Sequence, residues 1–297
     1  MDALLSERET TMTDLTRRQF ALLAGAGVAA GNFARAQAKL TAGEVVDRVK
    51  KNLGIPWDNS SYRDTFKIGG PETPVTGIVS TFMSTLGVLQ RSVAAGATMV
   101  ITHEPTFWSD RDTVAVLQND PLYKFKLDYA NAHGLAVWRI HDHWHARVPD
   151  GIQTGWNKRM GWVQYQVNGS LTRWNLPPTT LGELAKYVAK TLESRSVRVM
   201  GDPNLRVVSV GRGSHTLDGN MAVLPGVDCL LVSEAREYES YEYVRDAILS
   251  GEKKGAIFIS HEAGEEAGMD EFAAWIKPLV AEVPVQFIPT RDVFWNV

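Results

Sequence analysis

From residue 41 onward the hydrophobic positions change period repeatedly, three-to-four spacing giving way to short apolar runs and back again. Thr41 and Glu44 stand as a capping box ahead of Val45, Val46, Val49 and Leu53, which recur on one face and predict a helix. Residues 76–82 form an apolar run that predicts a buried strand. Leu86, Leu89 and Val93 then mark a helix stopped by Gly96. Residues 98–102 predict the next strand. Asp120-Pro121 opens a helix ending near Gly134, and residues 135–140 predict the strand after it.

Residues 161–176 alternate in the manner of a strand and turn at Asn168-Gly169, with Pro177-Pro178 as punctuation. A second capping box, Thr180 to Glu183, opens another helix. Strands are predicted near 207–210, 228–232, 256–260 and 285–288, with helices near 239–250 and 270–280. Such alternation predicts an α/β protein with mainly parallel sheets. Two α/β lobes follow, residues 39–160 and 161–297, with the transition falling within 155–180 and the site between them at the carboxyl ends of strands.

The first 38 residues follow a different logic. Thr16-Arg17-Arg18-Gln19-Phe20 precedes an apolar, small-residue run over 21–30, and Ala-x-Ala occurs at 34–36 and 36–38. Paired arginines, a modest apolar stretch and small residues at a cleavage point are similar to a twin-arginine export signal. The run is too short and too rich in glycine for a stable membrane span. The expectation is a periplasmic protein that engages the twin-arginine translocase during export.

Composition narrows the chemistry. The chain has 297 residues, 44% hydrophobic and 22% charged, which excludes disorder and disulfide scaffolds. A net charge of -3 argues against an electrostatic nucleic-acid binder. A single cysteine, Cys229, lies in an apolar strand and rules out a multi-thiolate zinc site. Any metal would have to rely on the seven histidines and on carboxylates.

Four polar segments each follow a predicted strand directly. They are His103-Glu104-Pro105, residues 141–145 with His141, His143 and His145, Ser233-Glu234, and residues 261–266 with His261, Glu262, Glu265 and Glu266. In parallel α/β sheets ligands gather at the carboxyl ends of strands, so the four segments are expected to share one crevice. His261 and Glu265 are four apart and would share a helical face. An extended stretch would aim His141, His143 and His145 the same way. His133, just before Gly134, reads as a helix-terminal cation. His215, within the glycine-rich residues 211–215, stays open between structural and functional roles.

Several of these residues carry a resemblance. Trp57-Asp58-Asn59, Gly69-Gly70-Pro71, residues 101–105, residues 141–145 followed by Asp150-Gly151, and Ser260-His261 with Glu265 resemble, in order and spacing, the Nif-three-like dinuclear metal-centre proteins, also known as GTP cyclohydrolase I type 2-like proteins. The resemblance runs from about Thr41 to Val297. It implies a metal set of His103, Glu104, His145, His261 and Glu265, with Glu104 where the family has a histidine and His145 where it has an aspartate. The exchanges offset, leaving three histidines and two carboxylates. The resemblance also implies two divalent ions, Zn, Mn, Fe or Co, bridged by Glu265, and a homo-oligomer, a ring-like hexamer.

Two ions held this way make a hydroxide nucleophile at neutral pH. The expected activity is an exported dinuclear-metal-dependent hydrolysis of a small amide, lactone, ester or cyclic C–N substrate through a metal-bound hydroxide. The alternative is a metal-binding or metal-delivery protein without turnover. Glu234, Glu262, Glu266 and Asp142 are the candidate proton shuttles. His141 and His143 are expected beside the ligands, orienting them or the substrate. Trp108 and Trp144, with Trp156 and Trp162, are read either as an aromatic-walled pocket for a small-molecule substrate or as packing at the lobe interface or an oligomer contact. A metallo-β-lactamase-like reading of the alternating histidines ranks last, because Ala146-Arg147 follows where Asp-His is required.

Overall fold

A computed structural model of the chain describes residues 40–294. The twin-arginine segment, residues 1–38, lies outside the described residues. No helix among the described residues is long and apolar enough to cross a membrane.

The first half builds one sheet. Helix α1 (Ala42–Asn52) begins at a reciprocal capping box, the Thr41 hydroxyl accepting from Glu44 N while the Glu44 carboxylate accepts from Thr41 N. It is followed by β1 (Phe66–Ile68), β2 (Ile78–Met83), α2 (Leu86–Ala94), β3 (Met99–Glu104), α3 (Pro121–Ala132) and β4 (Ala136–Arg139). Thr85 and Asp120 cap α2 and α3 with side-chain oxygens. A short helix α4 (Asp142–Ala146) and α5 (Gly151–Met160) then lead out of this sheet.

The second half builds the other sheet, from β5 (Arg173–Thr180), α6 (Leu181–Thr191), β6 (Arg198–Met200), β7 (Arg206–Arg212), α7 (Leu217–Val223), β8 (Cys229–Ser233), α8 (Glu242–Leu249) and β9 (Gly255–Ile259). Helix α9 (His261–Ile276) and strand β10 (Val285–Phe287) complete the chain. The sheet orders are β1-β4-β3-β2-β10 and β5-β7-β8-β9-β6. Central strands pair in parallel, and β1, β5 and β6 add antiparallel edges. The fold is thus α/β with helices on both faces of each sheet.

Four sequence expectations are corrected. Strand β10 returns to the first sheet and pairs in parallel with β2, so a cut at residue 160 does not divide the strands by sheet. Residues 163–165 form a tight helical turn rather than a strand; the chain does turn at Asn168-Gly169, both left-handed at φ 51° and 73°, with Gln166 bridging Trp174, and β5 begins only at Arg173 and runs through Pro177-Pro178. Prolines survive there because β5 is an edge strand whose ladder to β7 is interrupted between Asn175 and Thr179. Helix α9 starts at His261, nine residues before the predicted Asp270, capped by the Ser260 hydroxyl. Residues 142–146 are helical, not extended.

Helices α5 and α9 tie the two sheets together. Ile152, Met269, Phe272 and Ile276 belong to the core of the first sheet. Trp156, Met160 and Ala263, from the same two helices, belong to the core of the second. Gly155 and Gly268 let the helices approach until only a hydrogen fits between them: a Cβ on Gly155 would lie 2.3 Å from Ala267 O. This contact brings the carboxyl ends of the strands of both sheets to one cleft.

Candidate metal centre

The cleft has a volume of about 760 Å³ and is lined by Arg63, Met83, Glu104, Trp108, Asp110, His141, His145, His215, Glu234, His261 and Glu265 among others. His103 and Glu104 are the last two residues of β3. His141 and His145 bracket α4, just beyond β4, and stand four residues apart on one helical face. His215 and Glu234 follow β7 and β8, while His261 and Glu265 occupy the first turns of α9 behind β9. Both sheets therefore contribute.

One arrangement recurs at five rings. Each Nδ1 faces an oxygen acceptor: Ile140 O for His103 (3.0 Å), Asp142 for His141 (2.9 Å), Asp150 for His145 (3.0 Å), Ser233 O for His215 (2.8 Å) and Glu234 for His261 (2.6 Å). A carbonyl or carboxylate oxygen accepts, so each Nδ1 carries a proton and Nε2 is the nitrogen left to face the site. The five rings, with Glu104 and Glu265, fall into three groups whose ligand atoms lie within 4.8 Å of one another: His103, His141 and His145; His215, His261 and Glu265; His103, Glu104 and Glu265. Outer acceptors that fix ring and tautomer are the usual support of metal-ligating histidines.

The carboxylates sit between the rings. Glu265 Oε2 lies 3.0 Å from His261 Nε2 and 3.3 Å from His103 Nε2. Glu104 Oε1 lies 3.6 Å from both His141 Nε2 and His261 Nε2. His103 Nε2 is buried without a hydrogen-bond partner, which suits a lone pair awaiting a cation. Two carboxylates and converging imidazoles form a donor set for a borderline divalent ion such as Zn, Mn, Fe or Co.

Without an ion, protons take up the same contacts. Burial works to raise the Glu265 carboxyl, but the neighbouring His103 and His261 rings outweigh it and hold it well below the ordinary range. Burial works against a charged His261, yet Glu234 and Glu265 on its two nitrogens push it up to about 10. Burial, then the His103 and His145 rings, lower His141 to about 3. Protons and divalent ions compete for such positions.

The structure brings the expected His103, Glu104, His145, His261 and Glu265 together, and adds His141 and His215 with Nε2 turned inward. His143 is corrected. In a helix it points away from its neighbours, bonds Asp64 through Nδ1, accepts from Asp58 N through Nε2 (2.7 Å) and stacks on Trp57. Asp64 also accepts from the backbone N–H groups of His141, Asp142 and His143, anchoring the start of α4.

Of the four candidate shuttles, Glu234 lines the cleft, with left-handed backbone at φ 52°. Asp142 orients His141 and is itself held by Ser61 and Arg63. Glu262 and Glu266 lie in a separate hollow with Arg159, Arg291 and Asp292, on another face of α9. Trp108, half exposed and left-handed at φ 59°, lines the cleft. Trp144, Trp156 and Trp162 are core: Trp144 packs on Phe272 and donates to Gly268 O, and Trp156 and Trp162 cluster with Trp174. His133 sits at the end of α3 with Nδ1 on Tyr129 O.

Sequence reasoning missed Arg139 and Asp64. Arg139 left a signal: a charged residue inside an apolar strand must find buried partners. Asp64 left none, because its role depends on a turn of helix distant in sequence.

Residues 49–292 match the model of the family Duf34/NIF3 (NGG1p interacting factor 3). The chain belongs to the Duf34/NIF3 family. No curated protein matches it in sequence. The NIF3-type fold appears in the crystal structure of the Staphylococcus aureus hypothetical protein SA1388, at 16% identity and a TM-score of 0.65, covering 88% of this chain and 100% of that one. A Bacillus cereus protein related to NIF3 superposes at 12% identity and a TM-score of 0.64, with coverage of 88% and 100%. The Thermus thermophilus protein TTHA1606 does so at 15% identity and a TM-score of 0.62, with coverage of 86% and 100%. At these identities the likeness is one of fold.

Proposed function

We propose that this NIF3 chain is an exported hydrolase dependent on two divalent ions, acting on a small amide, lactone, ester or cyclic C–N bond. The observation that carries the reading is the set of five imidazoles, each with Nδ1 on an oxygen acceptor, gathered with Glu104 and Glu265 at one open cleft. The groups suit one ion near His103, His141 and His145 and another near His215, His261 and Glu265, with Glu104 and Glu265 between. When bound, such ions supply Lewis acidity toward a carbonyl and bring the pKa of water toward neutrality.

The protein's own groups have separable tasks. Glu234 holds the proton on His261 Nδ1 and, alone among the four candidate carboxylates, faces the cleft where a proton must be moved. Trp108 offers an exposed ring at the rim for an apolar or ring-bearing substrate. Export by the twin-arginine route and assembly into a ring-like hexamer belong to the same proposal, resting on the leader residues and the family resemblance.

A metal-delivery role without turnover is the competing reading, favoured by the open side of the site, where the His215 side chain is 43% exposed. One experiment separates the two. Protein purified from its native compartment should retain two ions through gel filtration, and chelator should abolish hydrolysis within a panel of amides and lactones until Mn, Co or Zn is returned. No turnover across the panel, with rapid transfer of ions to an acceptor, would replace the hydrolase with the carrier. Normal export of an Arg17→Lys, Arg18→Lys double variant would remove the twin-arginine route.

A further inference from the structure

Arg139 ends strand β4 with its residue fully buried, at 0% exposure. Its position opposite Thr102 in the parallel β3–β4 register places it beside the two site residues that end β3. Nε donates to the His103 carbonyl at 2.9 Å, and Nη2 donates to Glu104 Oε2 at 3.1 Å. Nη1 donates to Asp110 O at 2.5 Å, on the cleft rim, with Asp112 Oδ2 3.7 Å behind it. One guanidinium fork therefore grips the backbone of one candidate ligand and half the carboxylate of the next.

The consequence for Glu104 is geometric. Oε2 is engaged by a charged donor, so Oε1 alone faces the His141 and His261 Nε2 atoms. A freely turning carboxylate could offer both oxygens to an ion; this one is held to offer one. We infer that Arg139 is the positioning residue that makes Glu104 a one-oxygen metal ligand, sets the number of donors on the ion nearest Glu104, and weakens that ion's binding by its own charge. This inference rests on the metal-centre reading but not on hydrolysis.

Loss of a salt bridge that merely stabilises the fold would lower stability equally with and without metal. A positioning residue moves the metal-dependent part. The probe is Co²⁺ alone, titrated into the parent chain, Arg139→Met, Glu104→Gln and the double variant, with affinity, visible absorption and the Co²⁺-induced rise in Tm as readouts. Arg139→Met is expected to lower the metal-free Tm, because the Glu104 carboxylate loses its buried partner. It should nevertheless bind one Co²⁺ roughly tenfold or more tighter, since a neighbouring cation is gone and a second oxygen is freed. Its visible band should weaken as coordination number rises, and the Tm rise on adding Co²⁺ should exceed the parent's. In the double variant, compared with Glu104→Gln, only the part of the gain due to the missing cation should remain, and the change in the visible band should vanish.

Equal or weaker Co²⁺ affinity in Arg139→Met, with an unchanged spectrum, would overturn the inference while leaving the metal centre standing. Absence of Co²⁺ binding by the parent would overturn both. If Arg139→Met does not fold, Arg139→Gln carries the same comparison, because its amide keeps a donor for the His103 carbonyl without the charge.

Discussion

Gly155→Ala tests how the two sheets are brought to one cleft. In an ordinary helix interior this substitution stabilises by about 0.5–1 kcal/mol, because alanine restricts the unfolded backbone. At position 155 the new Cβ would meet Ala267 O at 2.3 Å and Gly268 Cα at 2.7 Å, both backbone atoms of α9. Carbon atoms in comfortable contact are about 3.5–4.0 Å apart, so α5 and α9 would have to part by about 1 Å. Overpacking of this kind costs about 1–3 kcal/mol, which cancels or exceeds the propensity gain and leaves a net loss of up to about 2.5 kcal/mol. The disturbance also reaches the site, since α9 carries His261 and Glu265 and Asp150, at the start of α5, orients His145. Equilibrium urea unfolding of the metal-free protein measures the first effect, and Co²⁺ titration the second. Gly87→Ala is the control: it lies on α2 with nothing within 4 Å of the added Cβ, and should be neutral or stabilising. A Gly155→Ala variant more stable than the parent, with unchanged Co²⁺ binding, would refute the close approach of α5 and α9.

Two further outcomes are expected. Asp64→Ala removes the acceptor of three backbone N–H groups and of His143 Nδ1, so it should cost about 2–4 kcal/mol and reduce metal stoichiometry by loosening His141 and His145; unchanged stability and stoichiometry would show that α4 does not need this anchor. Burial lowers Lys126 from 10.5 to about 8 despite the attraction of Asp112. Its folded-state pKa therefore lies below the unfolded value, so the penalty for burying the ammonium is full below about pH 8 and gone above about pH 10.5. Stability should rise across that window by up to about 3 kcal/mol, and the rise should be missing in Lys126→Met. Parallel urea midpoints for both proteins from pH 7.5 to 10 would refute it.

The candidate site was legible in proportion to how local its causes were. His261 and Glu265 share a helical face because four residues make about one turn, and spacing alone carries that. The same reasoning misled at residues 141–145, where alternation suggested three histidines on one side. Asp64 instead caps a short helix, so His141 and His145 face the cleft and His143 turns to Asp64 and Trp57. Trp144 stands beside ligand residues in sequence yet packs against Phe272 and Trp275, because a helical residue next to an inward-facing one lies on a different face. Glu262 and Glu266 fail as shuttles for the same reason, flanking ligand positions on α9 but opening onto a different hollow.

What the sequence determined by itself was the succession of elements, the absence of a thiolate option and the segments at the strand ends where chemistry collects. Period, caps and composition act over a few residues, and they read directly. The tertiary structure alone decided which carboxylates face the cleft, that His141 and His215 join the five expected residues, and that Arg139 engages half of Glu104. Those outcomes depend on β3 and β4 lying side by side and on α5 meeting α9 across two glycines. Contacts between different elements, such as His103 with Ile140 O 37 positions away, set which way a ligand points, because a side chain's direction follows the packing of the element that carries it.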